Sequence, residues 1–329
     1  MKLSKFALVL LFIAGVFLLN MSFADEHSVD QKLVARVLDQ EEDLRTGQDV
    51  RDIVIPPSSQ KAKEGIVEDG ENIFEVDSYF RYLPKSNAKH TDGDIEMTES
   101  EIEYTLKLKA FGKLPIDISL DTQYVGIKNQ LSAFQLPNRL TGFAFDIDTK
   151  LPLFIFENWY AGIGISPSWY TDNWGFQSSA FRIPSRYYAI YRPDDKLTII
   201  GGIAIYPDYQ STISPIFGVI YKFNDKLAFN IIPPRPNISY ALTDKINLFG
   251  ELNITNSEFE VSRGGQEGVV LRYKEVNLGG GIKYKFNKYI EANISGGGVF
   301  NRYFYYRDGG GKRSVDNGGY AEFRIIGRI

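Results

Sequence analysis

The chain has 329 residues, a formal net charge of −4, 43% hydrophobic residues and no cysteine. Without cysteine, a disulfide framework, a thiol nucleophile and a cysteine-ligated structural zinc site are excluded. The charge is uneven: residues 25–72 carry 13 acidic and 6 basic residues, a net of −7, whereas residues 73–329 carry 28 acidic and 29 basic residues, a net of +1. Neither part has the concentrated basic patch that nucleic-acid binding requires.

The first 24 residues have the pattern of an export signal. Lys2 and Lys5 precede an apolar run over residues 6–19, and Ser22-Phe23-Ala24 provides a small-x-small cleavage site. The run is shorter than the roughly 18 apolar residues that a spanning helix needs. We therefore expect a signal peptide over residues 1–24, with an uncleaved membrane anchor as the alternative.

Residues 25–72 predict an acidic periplasmic arm. Ser28 and Gln31 form a capping box ahead of an amphipathic pattern, so a helix is expected over residues 29–45. The Pro56-Pro57 pair and the charged run after it are typical of a linker. The arm is expected to be either a solvated spacer or a segment that plugs the barrel or binds a periplasmic partner.

From residue 73 onward the apolar period changes from 3.6 to 2. In EIEYTLKLKA, from Glu101 to Ala110, every second residue is apolar, which predicts a strand with one apolar and one polar face. Similar segments recur to the end of the chain, and short Asn- and Asp-rich turns between them alternate with longer polar connections. This alternation is typical of an outer-membrane β-barrel, because a sheet that crosses a bilayer must close on itself.

We therefore predict an all-β fold: an antiparallel transmembrane β-barrel of 12–14 strands over residues 73–329, preceded by a short N-terminal periplasmic helix. The lower count applies if the short segments 227–234 and 237–242 do not both cross. The Pro233-Pro234-Arg235-Pro236 link between them lacks a ladder donor at three of its four positions. It is expected to form a lateral opening or a tight outer loop.

Charged residues on the inward face are the candidate functional residues. Strand parity points acidic and basic side chains into the lumen at Asp117, Asp121, Asp146, Asp148, Arg182 and Arg186. The acidic and basic groups would either oppose each other across a pore or pair into a network that fills a narrow barrel. Closure of the barrel pairs the first strand with the last, which predicts Glu75 and Asp77 beside Arg324 and Arg328.

Catalytic and metal sites have little support in the sequence. The two histidines, His27 and His90, fall outside the predicted strands, so a membrane-embedded lipid-modifying enzyme would depend on His90 with a loop serine such as Ser86. The acidic residues between Asp92 and Glu99 lack the spacing of a calcium loop. We expect no enzyme activity, cofactor or metal, and keep a soluble secreted β-barrel that binds an apolar ligand as a further alternative.

The segments NDKLAFNIIPPRPNISYALTDKINLFGEL and RYKEVNLGGGIKYKF carry a family resemblance. They resemble a bacterial family of uncharacterised outer-membrane barrels, classed as domain of unknown function 6268. In that family a turn and strand lead to a proline corner, a Tyr-bearing strand returns and a Gly-rich strand follows. The resemblance implies a barrel in the outer membrane of a Gram-negative-type bacterium and no known activity.

The strand and turn pattern favours a passive pore or structural barrel for small solutes. The expected partners are outer-membrane lipid, lipopolysaccharide and the outer-membrane assembly machinery, and no nucleic acid.

Overall fold

The computed structural model describes residues 74–89, 93–110, 114–131, 134–153, 156, 158–173, 178–207, 212–264, 266–307 and 310–329. The predicted signal peptide, the acidic arm with its helix, and His90 lie outside the described residues. The strands, in chain order, are β1 (Phe74–Asn87), β2 (Asp94–Ala110), β3 (Leu114–Asn129), β4 (Arg139–Pro152), β5 (Trp159–Ile165), β6 (Ser168–Thr171), β7 (Phe181–Arg182), β8 (Ser185–Tyr191), β9 (Leu197–Ile205), β10 (Ile213–Lys222), β11 (Leu227–Ile231), β12 (Asn237–Ala241), β13 (Ile246–Arg263), β14 (Gln266–Lys285), β15 (Ile290–Tyr306), β16 (Gly311–Ser314) and β17 (Gly318–Arg328). A short 3-10 helix covers Ser178–Ala180.

The strands close into an antiparallel barrel, which confirms the predicted fold class. The 17 strands of the described residues make 14 crossings, because β6 continues β5, β8 continues β7, and β17 continues β16 along the same partner strand, β15. β1 pairs antiparallel with both β2 and β17, so Tyr79 lies between Glu101 and Arg324. The barrel has the higher of the two predicted strand counts, since the five-residue strands β11 and β12 both pair into the wall.

The two ends of the barrel differ in their connections. Residue 74 and the C-terminal residue lie at the same end, where Phe74 and Ile329 exchange backbone hydrogen bonds of 3.0 and 2.8 Å. We call this end the turn end and the opposite one the loop end. At the loop end β13 also meets β6 through a parallel bridge between Glu260 and Thr171, although five crossings separate these strands along the wall.

The repeated polar turns are held by their own side chains. Asn224 Oδ1 accepts hydrogen bonds of 2.9 Å from the N–H groups of Lys226 and Leu227, and Thr243 Oγ1 accepts from Lys245 and Ile246 at 3.2 and 3.0 Å. Asp194 and Asn287 bind their turns in the same way. Because a short side chain satisfies two backbone donors, each turn reverses the chain within four residues.

Side-chain polarity reverses along the long strands. Towards the turn end, outward residues such as Leu106 and Ile282 are apolar and exposed, and inward residues are charged. Towards the loop end the inward residues are apolar, as at Met97 and Leu271, and the outward residues are polar. The exposed apolar band therefore covers only the part of the wall nearer the turn end. None of the helical segments among the described residues has the length and hydropathy of a membrane-spanning helix.

Two predicted connections are shorter than expected. The sequence predicts long loops over residues 85–98 and 255–267, but β2 begins at Asp94, and β13 and β14 continue to Arg263 and from Gln266. Both segments keep the two-residue period, with their apolar residues facing the lumen. Their outward-facing residues are polar, as loop residues usually are, and for this reason the sequence predicts loops there. Of the acidic residues in the first segment, Asp94 binds Lys85 at 3.2 Å and Glu96 binds Lys128 at 2.9 Å.

Candidate functional site

The inner face near the turn end of β1–β4 and β8 forms an acidic sector. A small cavity of about 30 Å³ is lined by six carboxylates and two cations among the described residues, a net charge of −4. The lining residues are Glu75, Asp77, Glu103, Thr105, Lys107, Asp117, Ser119, Asp146, Asp148 and Arg186. The space is too small for a solute larger than a few water molecules, so this sector is a packed polar network.

Arg186 belongs to this sector and does not oppose it across the lumen. Its Nη2 and Nε lie 2.7 and 2.8 Å from Asp148 Oδ2, and Tyr188 donates to Asp148 Oδ1 at 2.8 Å. Asp148 is on β4 and Arg186 on β8, and Gly164 of β5 lies between them. A Cβ at Gly164 would lie 2.4 Å from Arg186 Nε. The missing side chain lets Arg186 reach over β5 to Asp148.

The other predicted inward residues also lie inside the wall. Asp121, Asp146 and Arg182 are buried, and Asp146 accepts a hydrogen bond from Ser166. Asp117 lines the same small cavity as Asp148. The structure therefore places all six predicted lumenal residues on the inner face and joins Asp148 to Arg186 directly.

The seam between the first and last strands carries two ion pairs. Arg324 Nε donates to the Oδ1 and Oδ2 of Asp77 at 2.8 and 3.0 Å, and Arg328 Nε donates to Glu75 Oε2 at 3.3 Å. Glu75 also lies 3.4 Å from Lys107 of β2. These contacts bring the four residues predicted at the closure together at the turn end.

A buried arginine joins strands from two sides of the lumen near mid-height. Arg81 of β1 binds Glu322 of β17 at 2.7 Å and Glu99 of β2 at 3.1 Å, and lies 3.6 Å from Glu275 of β14. The rings of Tyr79 and Tyr320 flank its guanidinium at 5.6 and 5.3 Å. A buried guanidinium of this kind must have several partners to offset its desolvation, and three carboxylates provide them here.

Between this arginine and the loop end, an apolar plug fills the lumen. Its residues come from the inner faces of the long strands, with Phe134 and Leu136 from the β3–β4 connection. The plug consists of Leu83, Ile95, Met97, Val125, Ile127, Phe134, Leu136, Leu140, Tyr170, Phe259, Val261, Val269, Leu271, Tyr273, Val299, Phe304, Tyr306, Val315 and Tyr320, all at most 8% exposed. Side chains this deeply buried are closely packed, so they fill the described part of the lumen at this level.

The β3–β4 connection is fastened into the plug. The rings of Phe134 and Tyr306 lie 5.1 Å apart, Arg313 lies over Phe134 at 5.5 Å, and the Tyr306 hydroxyl donates to the carbonyl of Gln135. Burial raises the pKa of Tyr306, which lies beyond the exposed apolar band, to about 12. The phenol therefore stays protonated at neutral pH and keeps its donor for this contact.

A larger cavity occupies the other half of the lumen and opens at the turn end. It measures about 780 Å³ and is lined by eight cations and five carboxylates among the described residues, a net charge of +3. The charged lining residues are Asp195, Lys196, Lys222, Asp225, Lys226, Arg235, Glu251, Lys283, Lys285, Glu291, Glu322, Arg324 and Arg328. We call this space the basic cavity; it lies within the volume range of small-molecule sites.

The proline corner, residues 233–236, forms part of the wall at the inner end of the basic cavity. The carbonyls of Pro236 and Pro234 accept hydrogen bonds from Leu252 and Ile254 at 2.9 and 3.1 Å, so the corner continues the ladder with β13. Arg235 lies with its guanidinium 5.7 Å from the ring of Tyr79, on the opposite side of the lumen. Prolines lack the donor but retain the acceptor, so backbone hydrogen bonds close the β13 edge of the corner, and the alternative of a lateral opening is not found along this edge.

Sequence reasoning missed the basic half of this lumen. The sequence signal is the alternation that places Lys283 and Lys285 on the polar face of β14. That these lysines share a space with residues of β10–β12 and of the turn before β9 depends on the geometry of the barrel. Within the described residues no group of three or more His, Cys, Asp or Glu side chains could hold a metal ion.

Comparison with known proteins gives one family match. A family model described as a domain of unknown function (DUF6268) matches residues 73–325. No curated protein matches the chain at a significant level.

Among solved structures, the COG4313 outer membrane channel from Pseudomonas putida F1 shares 8% identity at a TM-score of 0.43, covering 82% of this chain and 100% of that one. The Pseudomonas putida toluene transporter TodX shares 9% at 0.41, covering 79% and 90%. The KdgM porin shares 8% at 0.34, covering 78% and 99%. At these values the likenesses bear on neither substrate nor activity.

Proposed function

Because the chain belongs to the family described as domain of unknown function 6268, whose description assigns no activity, we propose a function from the lumen itself. The protein is an outer-membrane barrel that admits small solutes to the basic cavity and conducts them only when the apolar plug moves. The observation that carries this proposal is a polar cavity of about 780 Å³ that opens at the turn end and lies beneath a buried apolar plug.

The membrane location is supported by the outer surface. Large apolar side chains such as Phe323, Ile294 and Leu278 are exposed on the outward face, where water would disfavour them and lipid would not. The short turns lie at the turn end, together with the first and last residues of the barrel, Phe74 and Ile329. In outer-membrane barrels the end with the short turns faces the periplasm. On this orientation the basic cavity opens to the periplasm, and outer-membrane lipid, lipopolysaccharide and the assembly machinery are the partners.

The proposal assigns no catalysis to the barrel. A lipid-modifying enzyme would need His90, which lies outside the described residues, and Ser86, whose hydroxyl lies 3.4 Å from the carbonyl of Pro84. A His90→Ala variant with unchanged lipid composition of the host membrane would support the non-enzymatic function. Loss of a lipid species would favour the enzyme.

Planar-bilayer conductance of protein purified from membranes tests the proposal. The wild-type protein should show rare or brief openings, whereas the double variant Phe134→Ser, Leu136→Ser should show discrete, longer steps, because polar side chains weaken the plug. Ile213→Ser, a change of an exposed residue outside the plug, is the matched control and should behave as wild type. Stable wild-type steps as large as those of the double variant would show that the plug does not close the lumen. Silence of both folded proteins would exclude a conducting route.

A further inference from the structure

We infer that the basic cavity binds a small organic anion that also carries hydroxyl groups, with Arg235 as its innermost cation. The inference rests on the proposed function and adds the class of solute to it. It derives from the charges and the unsatisfied polar atoms that face the cavity.

Several cations of the cavity already form ion pairs with carboxylates. Lys283 lies 3.3 Å from Glu291, and the two arginines of the seam bind Asp77 and Glu75. Such pairs are close to neutral at a distance and contribute little to the attraction of a further anion.

Other cations have no carboxylate within ion-pair distance in the described part of the chain. Lys196, Lys226 and Lys285 lie near the mouth at the turn end, and Arg235 lies at the inner end of the cavity. Carboxylates outside these ion pairs also line the space, at Glu251 and in the turns at Asp195 and Asp225, so the positive surplus is modest. Confinement within the low-dielectric barrel strengthens the field of that surplus and favours anions that enter from the turn end.

Amide side chains supply a second kind of contact. Asn230 of β11 and Asn293 of β15 line the cavity and are 2% and 8% exposed, and the carbonyl oxygen of each has no hydrogen-bond partner among the described residues. A buried acceptor without a donor is costly, and a ligand hydroxyl would satisfy it. Cations together with orphaned acceptors fit a hydroxylated carboxylate better than a simple inorganic anion.

Arg235 is placed to select the anion. The proline corner gives it a fixed backbone, and Tyr79 lies against its guanidinium at 5.7 Å, which leaves the planar fork available to a carboxylate. Because the apolar plug and the Arg81 network close the space beyond it, Arg235 is the last cation a solute meets from the turn end.

Isothermal titration calorimetry with gluconate tests the inference. Sorbitol supplies the hydroxyls without the charge and hexanoate the charge without the hydroxyls. Gluconate should bind the wild-type protein more tightly than either, and Arg235→Gln should weaken its binding by about tenfold, the typical effect of one charge-assisted hydrogen bond. Lys285→Gln should weaken it less, and Lys288→Gln, at the same end but outside the cavity lining, should leave it unchanged.

The acidic arm is a second source of carboxylates for the same cavity. A full-length variant with Asp39, Glu41, Glu42 and Asp43 replaced by amides distinguishes the two sources. Gluconate binding that appears only in this variant would support the anion site and identify the arm as its usual occupant. No gluconate binding to either protein, or equal binding of gluconate and sorbitol, would overturn the inference.

Heat-modifiable migration in SDS-polyacrylamide gels shows whether each variant is folded. A loss of binding can then be distinguished from a loss of structure. If the plug variant conducts while gluconate fails to bind, the anion inference falls and the proposed function stands.

Discussion

Arg324 on the last strand binds the carboxylate of Asp77 on the first: its Nε donates hydrogen bonds of 2.8 and 3.0 Å to Oδ1 and Oδ2, and its Nη2 donates a further one to Oδ2. The side chains are 15% and 11% exposed, so the pair is largely shielded from solvent where the barrel closes on itself. The contact joins residues 247 positions apart in the sequence and marks the seam of the fold.

The first prediction concerns this seam. Asp77→Asn should lower the free energy of unfolding by about 1.5–3 kcal/mol, because it removes charged hydrogen bonds in a shielded site. Lys85→Gln breaks an ion pair whose side chains are 58% and 27% exposed and should cost under about 0.5 kcal/mol. Urea midpoints of the barrel in detergent micelles compare the two. Equal midpoints for both variants would mean that the seam pair contributes no more than a surface contact.

The second prediction concerns the strand that lies between Asp148 and Arg186. Gly164→Ala places a methyl group 2.4 Å from Arg186 Nε and should destabilise the barrel by about 1–3 kcal/mol. Gly201→Ala on β9 has no heavy atom within 4 Å of the new Cβ and serves as the matched control. The same urea midpoints apply, and a Gly164→Ala protein as stable as Gly201→Ala would contradict the packed ion pair.

The third prediction concerns the buried arginine near mid-height. Arg81→Met leaves Glu99, Glu275 and Glu322 without their shared cation and should cost about 3–5 kcal/mol, the usual effect of breaking a buried ion pair from one side. Adding Glu322→Gln to that variant should recover part of the loss, since one uncompensated charge is removed. If Arg81→Met alone unfolds at the wild-type urea concentration, the network does not stabilise the fold.

The barrel and its closure could be predicted from the sequence because they depend on local signals. A two-residue period identifies the strands, polar turns identify their reversals, and an even number of crossings joins the first strand to the last. The short strands β11 and β12 left the count open because neither reaches the usual length of a membrane crossing.

The contents of the lumen could not be predicted to the same degree. Parity places Asp148 and Arg186 on the inner face, but only the geometry of the wall and the absence of a side chain at Gly164 make them neighbours. The plug was missed for a different reason. Where Ile95 and Met97 turn inward, the polar residues between them face outward, and the segment resembles a solvated connection.

The most direct test of a lumen closed at the loop end and open at the turn end is thiol labelling, for which the cysteine-free chain provides a clean background. Ser239→Cys places a thiol in the basic cavity, and Lys128→Cys places one near the loop end of β3, where the lysine side chain is 80% exposed. The measurement is labelling by a small membrane-impermeant maleimide added outside cells that lack general porins.

A lumen closed at the loop end predicts rapid labelling of Lys128→Cys in intact cells, and labelling of Ser239→Cys only after the outer membrane has been permeabilised. Labelling of Ser239→Cys in intact cells at the rate of Lys128→Cys would contradict it, because the reagent would have passed the plug.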